Sequence, residues 1–538
     1  MSLYPLIHFS ENMTCIVNVE QGSLQGKECT TYNGRKYYSF EGIPYAKPPV
    51  AKLRFRDPQP AESWTGIRDA TKPGNKCAQM DPYGKNALIG SEDCLYLNIY
   101  TPSLPQEKIE NLPVIFFVHG GRFLVGYGDY YQPDYFLQND VILVTINYRL
   151  HILGFLCLHI PEAPGNAAFK DTIMALRWVK KNIKYFNGDE NNVTAFGESA
   201  GAGLVTSYVT TKMADGLVNK IIGQSGVCIS DLLLIEDDPV EKARHIASIL
   251  GRDLKDEKSL YEFLVNAPIE ELIFAAGVAE LSRPPHIISA YFLPNVEKKL
   301  EGVEPFFEEY PIATLKQNRY LKIPMLFGLN SHEGALFLRR DSEGKIQYLT
   351  DPAKFIPRYL SIPENSPRAV NFGKQLKQFY FKNKEINEET KEEYIDFISD
   401  SYFNRDIVMF AEYYSKYCDN VYFYNFCYAG NMNTRVMKQL GLKGASHGDI
   451  VQYQFYKKNK ADLCDEKDKA IIKFICEAWC NFAKNGKPTW SDQKVEWQPY
   501  DQAKRLCLNI DNNLSLVQYP GWKRIKFWID NMGERSKL

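Results

Sequence analysis

Short, unbroken apolar runs recur along the chain and set the first expectation. Val114–Val118 (VIFFV), Val141–Ile146 (VILVTI), Val193–Phe196, Ile221–Ile222 with their flanks, Pro324–Phe327 and Val421–Phe426 are continuous rather than alternating. That is the pattern of strands buried on both faces of a parallel sheet. Between them, Ala168–Phe186 places Ile173, Leu176, Trp178, Val179, Ile183 and Phe186 at three- and four-residue spacing, which predicts an amphipathic helix. Strands alternating with helices predict an α/β fold, a large and mostly parallel sheet flanked by helices. The stretches from Asp231 to Arg319 and from Asp341 to Asp406 are charged and helix-rich, and are expected to be insertions that cap a gorge. No repeat, low-complexity tract or long Pro/Gly/Ser linker divides the chain, so residues 1–538 are read as one domain.

Composition narrows the function classes. The 538 residues carry 64 Lys+Arg against 65 Asp+Glu, a net charge of −1, with no strongly one-signed segment. A nucleic-acid partner is therefore not expected. No stretch approaches eighteen consecutive apolar residues, so no membrane span is expected. The twelve cysteines show no paired CxxC spacing, and no metal is expected.

Candidate chemistry begins at Gly197-Glu198-Ser199-Ala200-Gly201, which follows the run Val193–Phe196 and precedes the small-residue stretch AGAGLVTSYV. Strand, sharp turn and helix in that order present a serine at the apex, and the flanking residues must be small to avoid a clash. Alone, G-x-S-x-G is a weak signal; its strand-to-helix context is what raises it. Upstream, Val114–Val118 runs into His119-Gly120-Gly121-Arg122-Phe123, a glycine-rich turn whose N–H groups suit a developing oxyanion. A nucleophilic serine needs a base and an orienting acid, in the chain order serine, acid, histidine for such an architecture. Of the eight histidines, His286, His332 and His447 lie well downstream of Ser199. His447 stands in the small-residue loop Gly444-Ala445-Ser446-His447-Gly448-Asp449 after Val421–Phe426, and Glu333 in Asn330-Ser331-His332-Glu333-Gly334 after Pro324–Phe327. Order and loop context select His447 as base and Glu333 as its orienter.

Many ordered motifs now resemble one family, the type-B carboxylesterase/cholinesterase branch of the α/β-hydrolases, and most of all insect carboxylesterases. They include Tyr38–Ala46 (YSFEGIPYA), Ser91–Asn98 (SEDCLYLN), Asn147-Tyr148-Arg149-Leu150, Gly154-Phe155-Leu156, Gly165-Asn166, Ala175–Val179, the serine turn, Ser225-Gly226 and Asn481–Lys484. The resemblance covers nearly the whole chain. It implies an α/β-hydrolase fold, hydrolysis of carboxylic esters (xenobiotic, odorant or lipid-derived) through an acyl-enzyme on Ser199, and no cofactor. It further implies an oxyanion hole of the Gly121, Arg122 and Ala200 N–H groups. Polar residues around the histidine at Glu198, Ser225 and Asp449, and an acyl pocket at Leu232, complete the implied site. Small-molecule esters are the implied partners, with organophosphates or carbamates as inhibitors in the manner of a detoxification or insecticide target, and the chain is expected to be a monomer or homodimer. The rival reading is a ligand-sequestering protein on an esterase scaffold, with catalysis blunted by Arg122.

Departures from the family pattern are equally informative. Arg122 replaces the third glycine of the HGGG turn, and its side chain either enters the gorge or points to solvent. Asn187 stands where glycine is usual, and tolerates a left-handed backbone. No Trp occurs between Trp64 and Trp178, so the aromatic that grips choline's ammonium is missing and cholinesterase activity is disfavoured. Leu232 stands where many relatives have an acyl-pocket Trp, and a roomier pocket is expected. GESAG in place of GQSAG argues against juvenile hormone esterase specialisation. The start MSLYPLIHFSENMTC lacks a basic n-region and an apolar h-region, and Ser536-Lys537-Leu538 matches a peroxisomal address. The chain is thus expected in peroxisomes, or else the cytosol. There Cys77 and Cys94, which resemble the first disulfide of exported relatives, would stay reduced, and the sequons at Asn12, Asn192 and Asn513 would stay silent.

Overall fold

A computed structural model of the chain describes residues 14–81, 87–233 and 238–532. Asn12 and the Ser536-Lys537-Leu538 tripeptide lie outside them. One sheet of thirteen strands runs from Thr14–Val19 to Ser515–Gln518. Its centre is seven parallel strands, side by side in the order Ile142–Ile146, Leu112–Val118, Gly188–Glu198, Lys220–Gln224, Met325–Asn330, Val421–Phe426 and Leu506–Ile510. All six predicted apolar runs lie among them.

The reason is visible in the alternation of side chains. Along Leu112–Val118, Val114, Phe116 and Val118 join one core with Ile142, Val144, Ala195 and Ile221. Ile115 and Phe117 join a second core on the other face with Leu143, Phe196, Ile222 and Leu326. Both faces are dry, so every position is apolar and the run reads as unbroken. The helix Ala167–Asn182 covers the first face and Glu466–Asn485 the second. The predicted helix over residues 168–186 is this α-helix with a 3-10 turn, Ile183–Phe186, closed by Asn187 at φ 74°.

Antiparallel strands flank this centre: Tyr96–Thr101, Lys36–Pro44, Gly22–Thr30 and Thr14–Val19 on one side, Ser515–Gln518 on the other. The apolar-run reading does not pick them out, because strands such as Gly22–Thr30 (GSLQGKECT) fully bury only Leu24 and Gly26. Both predicted insertions are helical: Pro239–Ile249, Glu257–Asn266 and Ile269–Leu281 in the first, Pro367–Phe381 and Lys391–Ser399 in the second, with Arg405–Ser415 beginning at its end. A π-turn at Asp400–Asn404 joins the last two. Cys77 and Cys94 are disulfide-bonded, with Cα atoms 4.8 Å apart.

A close crossing lies where Gly188–Glu198 turns into the helix Ala200–Ser207. A methyl on Gly197 would overlap the Gly201 carbonyl, and one on Gly201 would overlap the Val118 carbonyl oxygen of the neighbouring strand. These obstacles are backbone, which cannot rotate away. Gly201→Ala is therefore expected to lower unfolding stability in urea by about 1–3 kcal/mol or more. Gly277→Ala, in the interior of Ile269–Leu281 with nothing within 4 Å of its added carbon, is expected to raise it by roughly 0.5–1 kcal/mol. Equal effects of the two substitutions would refute the close-crossing account.

Candidate active site

Ser199 occupies the apex of that crossing with φ 57° and ψ −122°, a left-handed conformation that costs about 1–3 kcal/mol for a residue with a side chain. The surroundings enforce it: the Ser199 N–H donates to Gln224 O (2.8 Å) and its carbonyl accepts from Gly203 N (3.1 Å). The hydroxyl is thereby lifted clear of strand and helix. His447 Nε2 lies 2.8 Å from Ser199 Oγ, and its Nδ1 lies 2.6 Å from Glu333 Oε2. A carboxylate only accepts, so Nδ1 carries the proton and Nε2 is free to accept from the serine hydroxyl.

Glu333 is fully buried, and its second oxygen accepts from Ser225 Oγ and from the Asn330 N–H, both at 2.6 Å. Two post-strand loops are stapled together to make this possible: His332 N donates to Ala445 O (2.9 Å), and Ala445 N to Ser331 Oγ (3.0 Å). His332 itself turns to Ser331 Oγ (2.8 Å), and burial pushes its imidazole down to about 4. Asp449 does not touch the imidazole. It accepts from Ser446 N (2.7 Å), Ser446 Oγ (3.1 Å) and Thr434 N (2.6 Å), and so fixes the loop that carries His447. Glu198 does approach, with Oε1 3.4 Å from His447 Nε2.

Two aromatic rings complete the histidine's cage and were not singled out in the sequence. Phe403 packs 4.6 Å from the imidazole, centroid to centroid, and Phe337 5.4 Å. Phe403 sits on the π-turn, whose extra residue is an irregularity that spacing arguments do not reveal. Lys457 is a second addition. Its ammonium donates to Tyr130 Oη (3.0 Å) and Gln452 Oε1 (3.1 Å), and burial pushes it down to about 8 against the pull of Glu198.

Gly121 and Arg122 form the turn after Leu112–Val118, beside the serine: a carbon added to Gly120 would come within 3.0 Å of Ser199 Cβ. Among the described residues, the N–H groups of Gly121, Arg122 and Ala200 make no hydrogen bond within the protein. The Arg122 side chain takes neither of the two expected directions alone. It lines the cavity at Ser199, yet its guanidinium is tied to that cavity's wall, donating to Ile288 O and Glu280 Oε1, each at 2.7 Å. Leu232 also lines the cavity, with Leu233, Ile288, Phe337 and Phe403. The cavity is narrow, about 30 Å³.

A family model described as the carboxylesterase family matches residues 13–528. The chain belongs to the carboxylesterase family. Esterase FE4 of Myzus persicae is 34% identical over 503 residues, covering 91% of this chain and 87% of that one. Juvenile hormone esterase of Tribolium castaneum is 32% identical, covering 90% and 85%. The crystal structure of juvenile hormone esterase from Manduca sexta, with OTFP covalently attached, superposes with a TM-score of 0.85 at 28% identity, over 97% and 99% of the two chains. This carboxylesterase is a carboxylic ester hydrolase with the α/β-hydrolase fold. No helix among the described residues is long and apolar enough to cross a membrane.

Electrostatics favour a strong base. Burial disfavours a charged imidazole at His447, but the charge and hydrogen bond of Glu333, with the charges of Glu198 and Asp449, outweigh it and hold His447 above its ordinary 6.5. Burial raises Glu198 in turn. Only the neutral imidazole accepts a proton, so activity is lost as pH falls through the raised value. In this carboxylesterase kcat/KM for a neutral ester should therefore rise with pH through a midpoint above 6.5, and Glu198→Gln should move that midpoint down. A midpoint below 6.5, or one indifferent to Glu198, would contradict the assignment of charges.

Proposed function

We propose that the chain hydrolyses carboxylic esters through an acyl-enzyme on Ser199. The observation that carries this reading is the continuous chain of short contacts from Ser199 Oγ through His447 to Glu333. His447 takes the hydroxyl proton as Oγ attacks the ester carbonyl, and the tetrahedral oxyanion accepts from the Gly121, Arg122 and Ala200 N–H groups. The C–O bond to the alcohol then breaks, and the alkoxide leaves with the proton from His447. Water, deprotonated by the same imidazole, attacks the acyl-enzyme, and its collapse frees the acid and restores Ser199. Glu333, bonded to Nδ1, orients the imidazole throughout. No step in this sequence calls on a metal or organic cofactor.

Substrates are proposed to be small neutral esters, of xenobiotic, odorant or lipid origin. Cationic alcohols such as choline are disfavoured: no tryptophan occurs between Trp64 and Trp178 to stack on an ammonium. Sequestration without turnover is the weaker reading, because nothing in the triad is missing. Ser199→Ala should abolish turnover of p-nitrophenyl acetate, and an organophosphate should inactivate the wild type with one equivalent bound to Ser199. Activity of the variant within tenfold of wild type, or labelling elsewhere, would overturn the mechanism.

We also propose a peroxisomal location, from the Ser536-Lys537-Leu538 tripeptide. The Cys77–Cys94 bond pulls the other way, since a reducing compartment holds such a pair as thiols. A fluorescent fusion at the N-terminus should collect in peroxisomes and move to the cytosol when the tripeptide is deleted. Secretion of the intact chain would refute the proposal.

A further inference from the structure

Arg122 joins two parts of the site. Its backbone, at φ 58°, belongs to the turn that faces Ser199. Its side chain crosses to a segment more than 150 residues away, where the guanidinium binds Ile288 O, Glu280 Oε1 and, at 3.3 Å, Ser289 O. That segment, Ile288–Ala290, is neither helix nor strand, and it forms one wall of the cavity beside Ser199.

The wall is held largely by polar bonds. Arg283 donates to the Ser289 and Ala290 carbonyls, and Arg358 to Ser289 Oγ (3.3 Å). Glu280 is the hub: one oxygen takes Arg122 (2.7 Å) and Arg283 (2.8 Å), and the other takes the Tyr291 N–H (2.6 Å). The opposite wall is different in kind, because Phe337 and Phe403 pack on His447 and cannot retreat without disturbing it. Since so little room is open beside Ser199, an acyl chain beyond the first few carbons must displace a wall, and the polar one is the one able to yield.

We propose that Arg122 is a specificity-determining latch: its bond to Glu280 holds Ile288–Ala290 against the cavity and restricts the carboxylesterase to short acyl groups. The same residue carries an oxyanion N–H, so a long acyl chain that forces the latch also displaces a donor, and discrimination falls on kcat as well as KM. The proposal rests on the reading of this cavity as the acyl pocket of a Ser199 acyl-enzyme. Arg122 is 40% exposed in its side chain and Glu280 18%, so salt should weaken the latch.

The test compares p-nitrophenyl acetate, butyrate, hexanoate and octanoate in wild type, Arg122→Ala, Glu280→Gln and the double variant. Opening one pocket wall by a few methylenes should raise the octanoate-to-acetate ratio of kcat/KM by about tenfold or more in each single variant. The double variant should gain less than the product of the two single effects, since both remove the Arg122–Glu280 bond. An unchanged ratio in both, a uniform loss over all chain lengths, or multiplied effects in the double variant would overturn the latch. A second readout avoids turnover: in a Ser199→Ala background, calorimetry should show Glu280→Gln strengthening octanoate binding relative to butyrate. No such gain refutes the latch even if the serine mechanism stands. Full activity of Ser199→Ala refutes that mechanism even if the latch stands.

Discussion

Everything at the site hangs on how closely a strand and a helix can cross. Between Gly188–Glu198 and Ala200–Ser207 the backbones approach to a distance that leaves no room for a β-carbon at positions 197 and 201. The chain therefore has one residue in which to reverse direction, and that residue is forced to a left-handed φ. A serine so held has little rotational freedom left to lose. Its oxygen stands at the carboxyl ends of the parallel strands, where the loops after Met325–Asn330 and Val421–Phe426 also emerge. Sheet register, rather than any contact of the serine's own, brings Glu333 and His447 to it.

A buried charge system is the second consequence. Glu333 lies in a dry interior, where a polar group left without partners is costly. Ser225, the Asn330 N–H and the His447 imidazole each donate to it, so both carboxyl oxygens are satisfied and the group is held against the imidazole. Asp449 serves this system at one remove, by fixing the loop that presents the histidine.

What the sequence made legible follows from range. Ser199, Glu333 and His447 were readable because each sits in a short motif whose position after a strand fixes its place in the fold. Six of the seven central strands follow from their apolar runs; Leu506–Ile510 and the flanking antiparallel strands do not, since Gly22–Thr30 fully buries only Leu24 and Gly26. Arg122 was legible as an anomaly but not in its direction, because Glu280 and Ile288 approach it only in the folded chain. The other walls of the cavity at Leu232 were not legible for a similar reason: Ile288, Phe337 and Phe403 come from distant elements. Phe403 was hidden because a π-turn breaks the helical periodicity that would have placed it.

The central claim is covalent, and rapid mixing with a slowly deacylating p-nitrophenyl ester tests it most directly. Nitrophenol should appear in a burst of one equivalent per chain, and protein quenched at the plateau should gain the mass of one acyl group on the peptide containing Ser199. A linear release with no burst under conditions where deacylation is shown to be slow, or an acyl group on another residue, would contradict the account.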